Sequence, residues 1–197
     1  MHIIALIPAY NEEKTVADAV RAAVPFVDVV MVIDDGSADQ TAARAHEAGA
    51  RVIRHGVNRG LGAALGTGFA AARLLHADVA VTLDADGQHD AKEIPRFIKA
   101  VQEGGDLVIG NRMEAREGMP MSRQFAQLMG NLLTFFLFHV WVSDSQSGYR
   151  ALSRHALGKM NIRTNRMEVS SEIVAEAKWH KLKIVEIPIK PIYTEYS

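Results

Sequence analysis

Three short polar stretches, each standing directly after an apolar run, carry the chemistry available to this sequence. They are Pro8, Ala9, Tyr10, Asn11 and Glu12 after Ile3 to Ile7; Asp34, Asp35, Gly36 and Ser37 after Val29 to Ile33; and Asp84, Ala85, Asp86, Gly87 and Gln88 after Val79 to Leu83. Carboxylates gathered on one rim repel unless a cation sits among them, and oxygen ligands from Asp and Gln suit Mg²⁺ or Mn²⁺. A lone Asp after a strand most simply caps the following helix, and Asp34 taken singly fits that reading. Asp84 and Asp86 differ, because side chains two apart at an extended strand end point the same way and can hold a metal or diphosphate together. His89 could face the site but reads more readily as a solvated turn residue, and Asp90 as a helix cap.

The elements that must position these residues follow from the apolar pattern. Further Val- and Ile-rich runs stand at Val52 to Ile53 and Leu107 to Ile109, and between the runs lie stretches with helical spacing. Val16, Ala19, Val20 and Ala23 share one helix face, as do Ile94, Phe97, Ile98 and Val101. Strand and helix therefore alternate, which predicts an α/β fold with a mostly parallel sheet covered by helices on both faces. In such a sheet ligands bind outside the carboxyl ends of the strands, where the polar stretches stand. Asp39 is placed to cap a helix running through Ala48, with Gly49 as its left-handed terminator. After Gly110 the alternation gives way to a Met- and Arg-containing segment, an apolar helix from Leu128 to Val142 and a turn-rich stretch from Ser143 to Tyr149. A helix over Glu168 to Trp179 and a strand over Leu182 to Ile187 follow, with Pro188 and Pro191 limiting further pairing.

The glycine-rich stretch Asn58 to Gly68 lacks the ending of a P-loop and the spacing of a dinucleotide fingerprint. Tight helix-on-sheet packing is the preferred reading, with a secondary approach to substrate.

At 197 residues the chain suits one domain, in which the strand–helix alternation occupies 1–110 and a less regular half follows over 111–197. A formal net charge of −1 gives no general attraction to nucleic acid, and the absence of cysteine removes disulfides, thiolate metal sites and cysteine nucleophiles together. The default location is the cytoplasm. The N-terminal apolar run has none of the features of a signal peptide, and Leu128 to Val142 falls short of the roughly 20 residues that span a bilayer. That segment fits a buried helix better than an interfacial one.

The motifs IPAYNEE, IDDGS, NRGLGAAL, DADGQ, GNR and DSQSGYRAL, in this order, resemble family 2 glycosyltransferases of the Rossmann-like GT-A fold, in particular the polyprenyl-phosphate sugar synthases of the dolichyl-phosphate mannose synthase type. The resemblance implies that Pro8, Ala9, Tyr10, Glu12, Ile33 and Asp35 contact the base and ribose of a nucleotide-sugar, with Asp84 and Ala85 extending that pocket. Asp86 and Gln88, with Asp84, would hold a Mg²⁺ or Mn²⁺ that bridges the donor's two phosphates, and Arg112 would face phosphate. Arg123 and Arg150 are candidates for steadying the acceptor phosphate, with surface salt bridging as an equally serious alternative. The family's pattern also expects a basic residue on donor phosphate near where the chain stops, at Tyr193 to Ser197, which raises C-terminal truncation as an expectation.

The implied reaction is direct displacement with inversion from GDP-mannose or UDP-glucose type donors to a polyprenyl phosphate, at the cytoplasmic face of a membrane that the protein contacts peripherally. A lipid phosphate needs no strong base. A hydroxyl acceptor does, and Asp144 is then the leading candidate, with Glu172 in reserve. The competing readings are a family 2 transferase acting on a glycan or small-molecule hydroxyl, and a non-catalytic nucleotide-sugar binding module.

Overall fold

The computed structural model describes residues 1–112 and 143–190. The expected Leu128 to Val142 helix, Arg123 and the terminal Tyr193 to Ser197 lie outside the described residues.

Each expected strand forms, with its boundaries adjusted. In chain order the elements are β1 (Ile3–Ala9), α1 (Val16–Ala23), β2 (Val29–Asp34), α2 (Thr41–Glu47), β3 (Arg51–Arg54), α3 (Leu61–Leu74), β4 (Val79–Thr82), α4 (Ile94–Gln102), β5 (Leu107–Asn111), β6 (Arg150–Ser153), α5 (Arg154–Lys159), α6 (Val169–Trp179) and β7 (Ile184–Pro188). The strands make a seven-stranded sheet in the order β3-β2-β1-β4-β6-β5-β7. All pairings are parallel except those of β6, which runs antiparallel to both β4 and β5. Apolar side chains from successive strand positions fall alternately into two core clusters, one on each face. Ile4, Leu6 and Ile33 pack with α3, α5 and α6, and Ala5, Ile7 and Val32 pack with α1, α2 and α4. Runs without polar interruption at Ile4–Ile7 and Val30–Ile33 are what a sheet buried on both faces requires.

Two elements were not expected, and two expectations need correction. β6 and α5 carry no strong apolar run, so neither stands out in the sequence; both are assembled by tertiary pairing. Asp39 stands one residue before the N-cap of α2, which is Gln40, although its carboxylate accepts the Thr41 amide at 3.0 Å and so steadies the first turn. β4 ends at Thr82, so Asp84 and Asp86 lie in a turn rather than on an extended strand end. Gly49 does adopt the left-handed conformation at the end of α2, with φ +100.

The glycine-rich stretch does what close packing asks. A Cβ on Gly60 would meet the Asn165 carbonyl at 2.2 Å, and one on Gly62 would meet the Thr164 carbonyl at 2.1 Å, so the 160–166 segment can lie directly against the start of α3. The Asn165 carbonyl accepts the Gly62 amide at 2.9 Å and satisfies a donor that would otherwise be orphaned at the helix N-terminus. Among the described residues no helix is long and apolar enough to cross a membrane.

Candidate active site

The first rim stretch is laced to the second by short hydrogen bonds. The Asn11 amide donates to Ser37 Oγ at 2.9 Å, the Glu12 amide to Thr41 Oγ1 at 2.8 Å, and the Ala38 amide to Asn11 Oδ1 at 2.9 Å. Asn11 itself has φ +56, a strained position these bonds hold in place. Tyr10 is thereby presented to solvent at 48% exposure, while Pro8 and Glu12 are half-buried. Asp34, the last residue of β2, accepts the Ser37 amide at 2.9 Å and closes the turn after the strand, whereas the expected helix cap is not made: α2 begins only at Thr41.

Asp35 is placed differently from a free base-contacting carboxylate. It is 4% exposed, and its oxygens accept the amides of Arg59 at 3.0 Å and Gly60 at 2.6 Å, with His55 Nδ1 at 2.7 Å. The far nitrogen of His55 lies 2.9 Å from Thr67 Oγ1, so Asp35, His55 and Thr67 tie β2, β3 and α3 into one wall. Ile33 is wholly buried among core residues and Ala85 nearly so, which leaves their side chains supporting the rim from beneath.

The third stretch is partly open. Asp84 has a side chain 40% exposed at the rim. Asp86 Oδ1 accepts the Gln88 amide at 3.0 Å, folding the 84–88 turn back on itself, and Gln88 is half-buried beside it. Gly148 abuts Asp84 so closely that a Cβ there would stand 2.5 Å from Oδ1 and 2.7 Å from Oδ2. This contact exists because Thr82 Oγ1 donates to the Gly148 carbonyl at 2.6 Å where β6 enters beside β4.

His89 is not solvated, contrary to the sequence reading. Its side chain is 3% exposed and its ring stacks on Tyr149, with centroids 4.8 Å apart. Tyr149 stacks in turn on Phe97 at 4.2 Å and donates its hydroxyl to the Asp90 carbonyl at 3.0 Å. Burial depresses the imidazole's proton affinity, against an opposing pull from Asp84. Asp90 caps the turn at Ala91 by accepting the Lys92 amide, as expected. The less favoured sequence reading of His89, facing the site, fits its place beside Asp84, while Gly148 carries no local signal, its partner being brought to it by the β4–β6 pairing.

Two cations stand with these carboxylates. Arg112, at the end of β5, grips Asp144 in a bidentate pair, Nε to Oδ2 at 2.7 Å and Nη2 to Oδ1 at 3.0 Å, and adds its own amide to Oδ2 at 3.2 Å. Arg150 is 2% exposed, with Nη2 donating to the Ser145 carbonyl at 3.0 Å. Burial pushes its guanidinium down to about 10, and Asp84 and Asp144 act in the opposite sense, so it remains a cation behind the acidic rim. A buried Arg150 is neither a surface ion pair nor positioned to grip an incoming phosphate; it neutralises the rim from within.

The two carboxylates considered as bases are both engaged. Asp144 is fully buried and bound to Arg112. Glu172 accepts the amides of Arg163 at 2.8 Å and Thr164 at 3.0 Å, and the Thr164 hydroxyl at 2.6 Å, which fastens the 163–164 segment.

Asp84, Asp86 and Gln88 offer oxygen donors of the type that a divalent cation takes. Among the described residues no three acidic or imidazole side chains form a cage, and Mg²⁺ commonly uses one or two carboxylates plus substrate phosphates rather than a dedicated cage. The rim offers that number.

Comparison with known proteins agrees with this chemistry. The family model described as Glycosyl transferase family 2 matches residues 4–160. A UDP-N-acetylglucosamine–dolichyl-phosphate N-acetylglucosaminyltransferase of Methanococcus voltae is 37% identical over 219 residues, covering 99% of this chain and 87% of that protein. A polyprenol monophosphomannose synthase of Mycolicibacterium smegmatis is 34% identical over 171 residues, covering 81% of this chain and 64% of the relative. Among solved structures, glucosyl-3-phosphoglycerate synthase of M. tuberculosis aligns with a TM-score of 0.75 at 25% identity, over 98% of this chain and 73% of its own. The order of the strands, the polar rim and these likenesses converge, and the chain belongs to glycosyl transferase family 2, a glycosyltransferase built on the GT-A fold.

Proposed function

We propose that the protein transfers a sugar from a nucleoside-diphosphate donor to a polyprenyl phosphate, with inversion at the anomeric carbon and a divalent cation at Asp84, Asp86 and Gln88. The observation that carries this reading is the open pair Asp84 and Asp86 at the end of β4, with Arg112 and Arg150 within electrostatic reach of Asp84's side of the rim. The names of the Methanococcus and Mycolicibacterium relatives support a lipid-phosphate acceptor. A structure of the M. tuberculosis synthase holds Mn²⁺ and UDP-glucose, while for the present chain the metal rests on its own donor set.

The state of the two candidate bases favours a phosphate acceptor over a hydroxyl. A hydroxyl must lose its proton to a carboxylate within hydrogen-bond reach. Asp144 is closed off by Arg112, and Glu172 is bound to its neighbouring loop. A phosphate oxygen is already anionic at neutral pH and attacks without such a base. The acceptor oxygen then forms the new bond to the anomeric carbon as the bond to the nucleoside diphosphate breaks. When bound, Mg²⁺ or Mn²⁺ would supply Lewis-acid stabilisation of the departing diphosphate. Arg112, oriented by Asp144, presents positive charge at the end of β5 to the same developing charge. Tyr10, exposed on a rim fastened by Ser37 and Thr41, offers a face for the donor's base.

The test is calorimetric titration with GDP-mannose, UDP-glucose and UDP-N-acetylglucosamine, each with Mn²⁺ or with EDTA, followed by a transfer assay onto a short-chain polyprenyl phosphate. Metal-dependent binding of one donor, lost in Asp86→Ala, and radiolabelled glycolipid as product are expected. Binding without transfer to any acceptor would support the binding-module reading instead, and transfer to a sugar hydroxyl but not to the lipid would overturn the acceptor.

A further inference from the structure

We propose that His89 is a positioning residue, which orients the carboxylate of Asp84 through its Nε2–H so that the site is set before the donor arrives. The proposal rests on the reading of Asp84 as part of the metal and diphosphate site. The Asp84 amide donates to His89 Nδ1 at 3.0 Å, so Nδ1 is the acceptor and the ring's hydrogen sits on Nε2. Nε2 lies 3.5 Å from Asp84 Oδ2, beyond ordinary hydrogen-bond distance, so its N–H acts on the carboxylate as a nearby dipole rather than through a formed hydrogen bond. One imidazole thus reads both the main chain and the side chain of a single residue.

The ring cannot turn away from that task. It lies against Tyr149 with an interplanar angle of 25°, and Tyr149 is itself stacked on Phe97 at 21° and tethered through its hydroxyl to the Asp90 carbonyl. Gly148 also abuts the same carboxylate, so closely that an added Cβ would stand 2.5 Å from Oδ1. Asp84 is therefore both attracted by the imidazole and closely packed by the glycine. His89 is not itself a ligand, because Nδ1 is occupied by the amide and Nε2 carries the proton. Groups that orient a metal-binding carboxylate commonly change metal affinity when removed, typically by about 10- to 100-fold.

Two substitutions separate orientation from packing. In His89→Asn the amide oxygen falls near the position of Nδ1 and can accept the Asp84 amide, but nothing reaches the carboxylate. In His89→Gln the amide nitrogen reaches the position of Nε2. Both lose the ring stack alike. Calorimetry with Mn²⁺ and the donor bound by the wild type should show affinity reduced about 10-fold in His89→Asn and largely restored in His89→Gln, at similar melting temperatures for the two. Nitrogen-15 NMR of the metal-free wild type should show the Nε2–H tautomer. An Nδ1–H tautomer, wild-type affinity in His89→Asn, or equal loss in both variants would each overturn the proposal. A wild type that binds no donor at all would instead overturn the functional reading, and the proposal with it, whatever the tautomer.

Discussion

Gly148→Ala perturbs the site with a single methyl group. The glycine's φ lies outside the left-handed region, so alanine can adopt the backbone, and the Thr82 bond to the Gly148 carbonyl is untouched. The new Cβ would stand 2.5 Å from Asp84 Oδ1, whereas ordinary contact begins near 3.4 Å, so the carboxylate must withdraw by about 0.9 Å. Its side chain is 40% exposed and can swing toward solvent, so the fold should lose only about 0.5 kcal/mol. Metal coordination is far less forgiving, because ligand distances hold to within about 0.2 Å. Metal-dependent donor affinity should therefore fall by about 10- to 100-fold, equivalent to about 1.4 to 2.8 kcal/mol. The assay is the titration with Mn²⁺ and with EDTA, run beside a thermal melt. Wild-type affinity in a folded Gly148→Ala protein would refute the assignment of Asp84 to the site. Reduced affinity with a matching collapse in melting temperature would refute the claim that the methyl group acts locally.

Other substitutions test the framework. Gly62→Ala drives a Cβ to 2.1 Å from the Thr164 carbonyl, a backbone atom that cannot rotate away, and should cost about 1 to 3 kcal/mol in urea unfolding. Glu172→Ala removes the acceptor for three donors from Arg163 and Thr164 and should cost about 1 to 3 kcal/mol, while transfer at saturating substrate persists; loss of turnover with stability intact would restore Glu172 as a base. Asp106 bears on acid stability. Burial opposes its charge, but the Lys183 amide, the Ser153 hydroxyl and His155 outweigh it and hold the carboxyl below its usual 3.8. The folded state then binds fewer protons than the unfolded one, so the stability Asp106 adds is complete above the unfolded value and lost as pH falls through the folded one. Asp106→Asn should accordingly flatten the acid limb of the unfolding free energy as pH falls through and below the unfolded carboxylate value, and an unchanged acid limb would count against the assignment.

Much of the fold is legible in local sequence, since a strand buried on both faces needs an uninterrupted apolar run, and Ile3–Ile7, Val29–Ile33 and Val79–Leu83 are such runs. The rim is legible for the same reason: in a parallel sheet the residues that follow these runs emerge at one edge, which brings Tyr10, Asp35, Asp84 and Asp86 to the same side. The role of each rim residue is less legible. Asp35 and Asp84 both follow strands, yet Asp35 is consumed by the amides of Arg59 and Gly60 and by His55, while Asp84 stays open. The sequence offers Arg150 as a contact to acceptor phosphate or as a surface ion pair, and in the structure it is buried, because β6 enters between β4 and β5.

By itself, then, the sequence determined the alternation of strand and helix, the edge at which polar residues collect, and the types of ligand atom they offer, because each depends on neighbours within a few positions. Only the tertiary structure decided that β6 runs antiparallel into the middle of the sheet. Its hydrogen bond from Thr82 to Gly148 joins residues 66 apart, and Tyr149 reaches back to Asp90 across 59. Contacts over such separations leave no periodicity to read. They place a glycine wall and a buried imidazole around Asp84, and give that carboxylate a setting its neighbours in sequence do not specify.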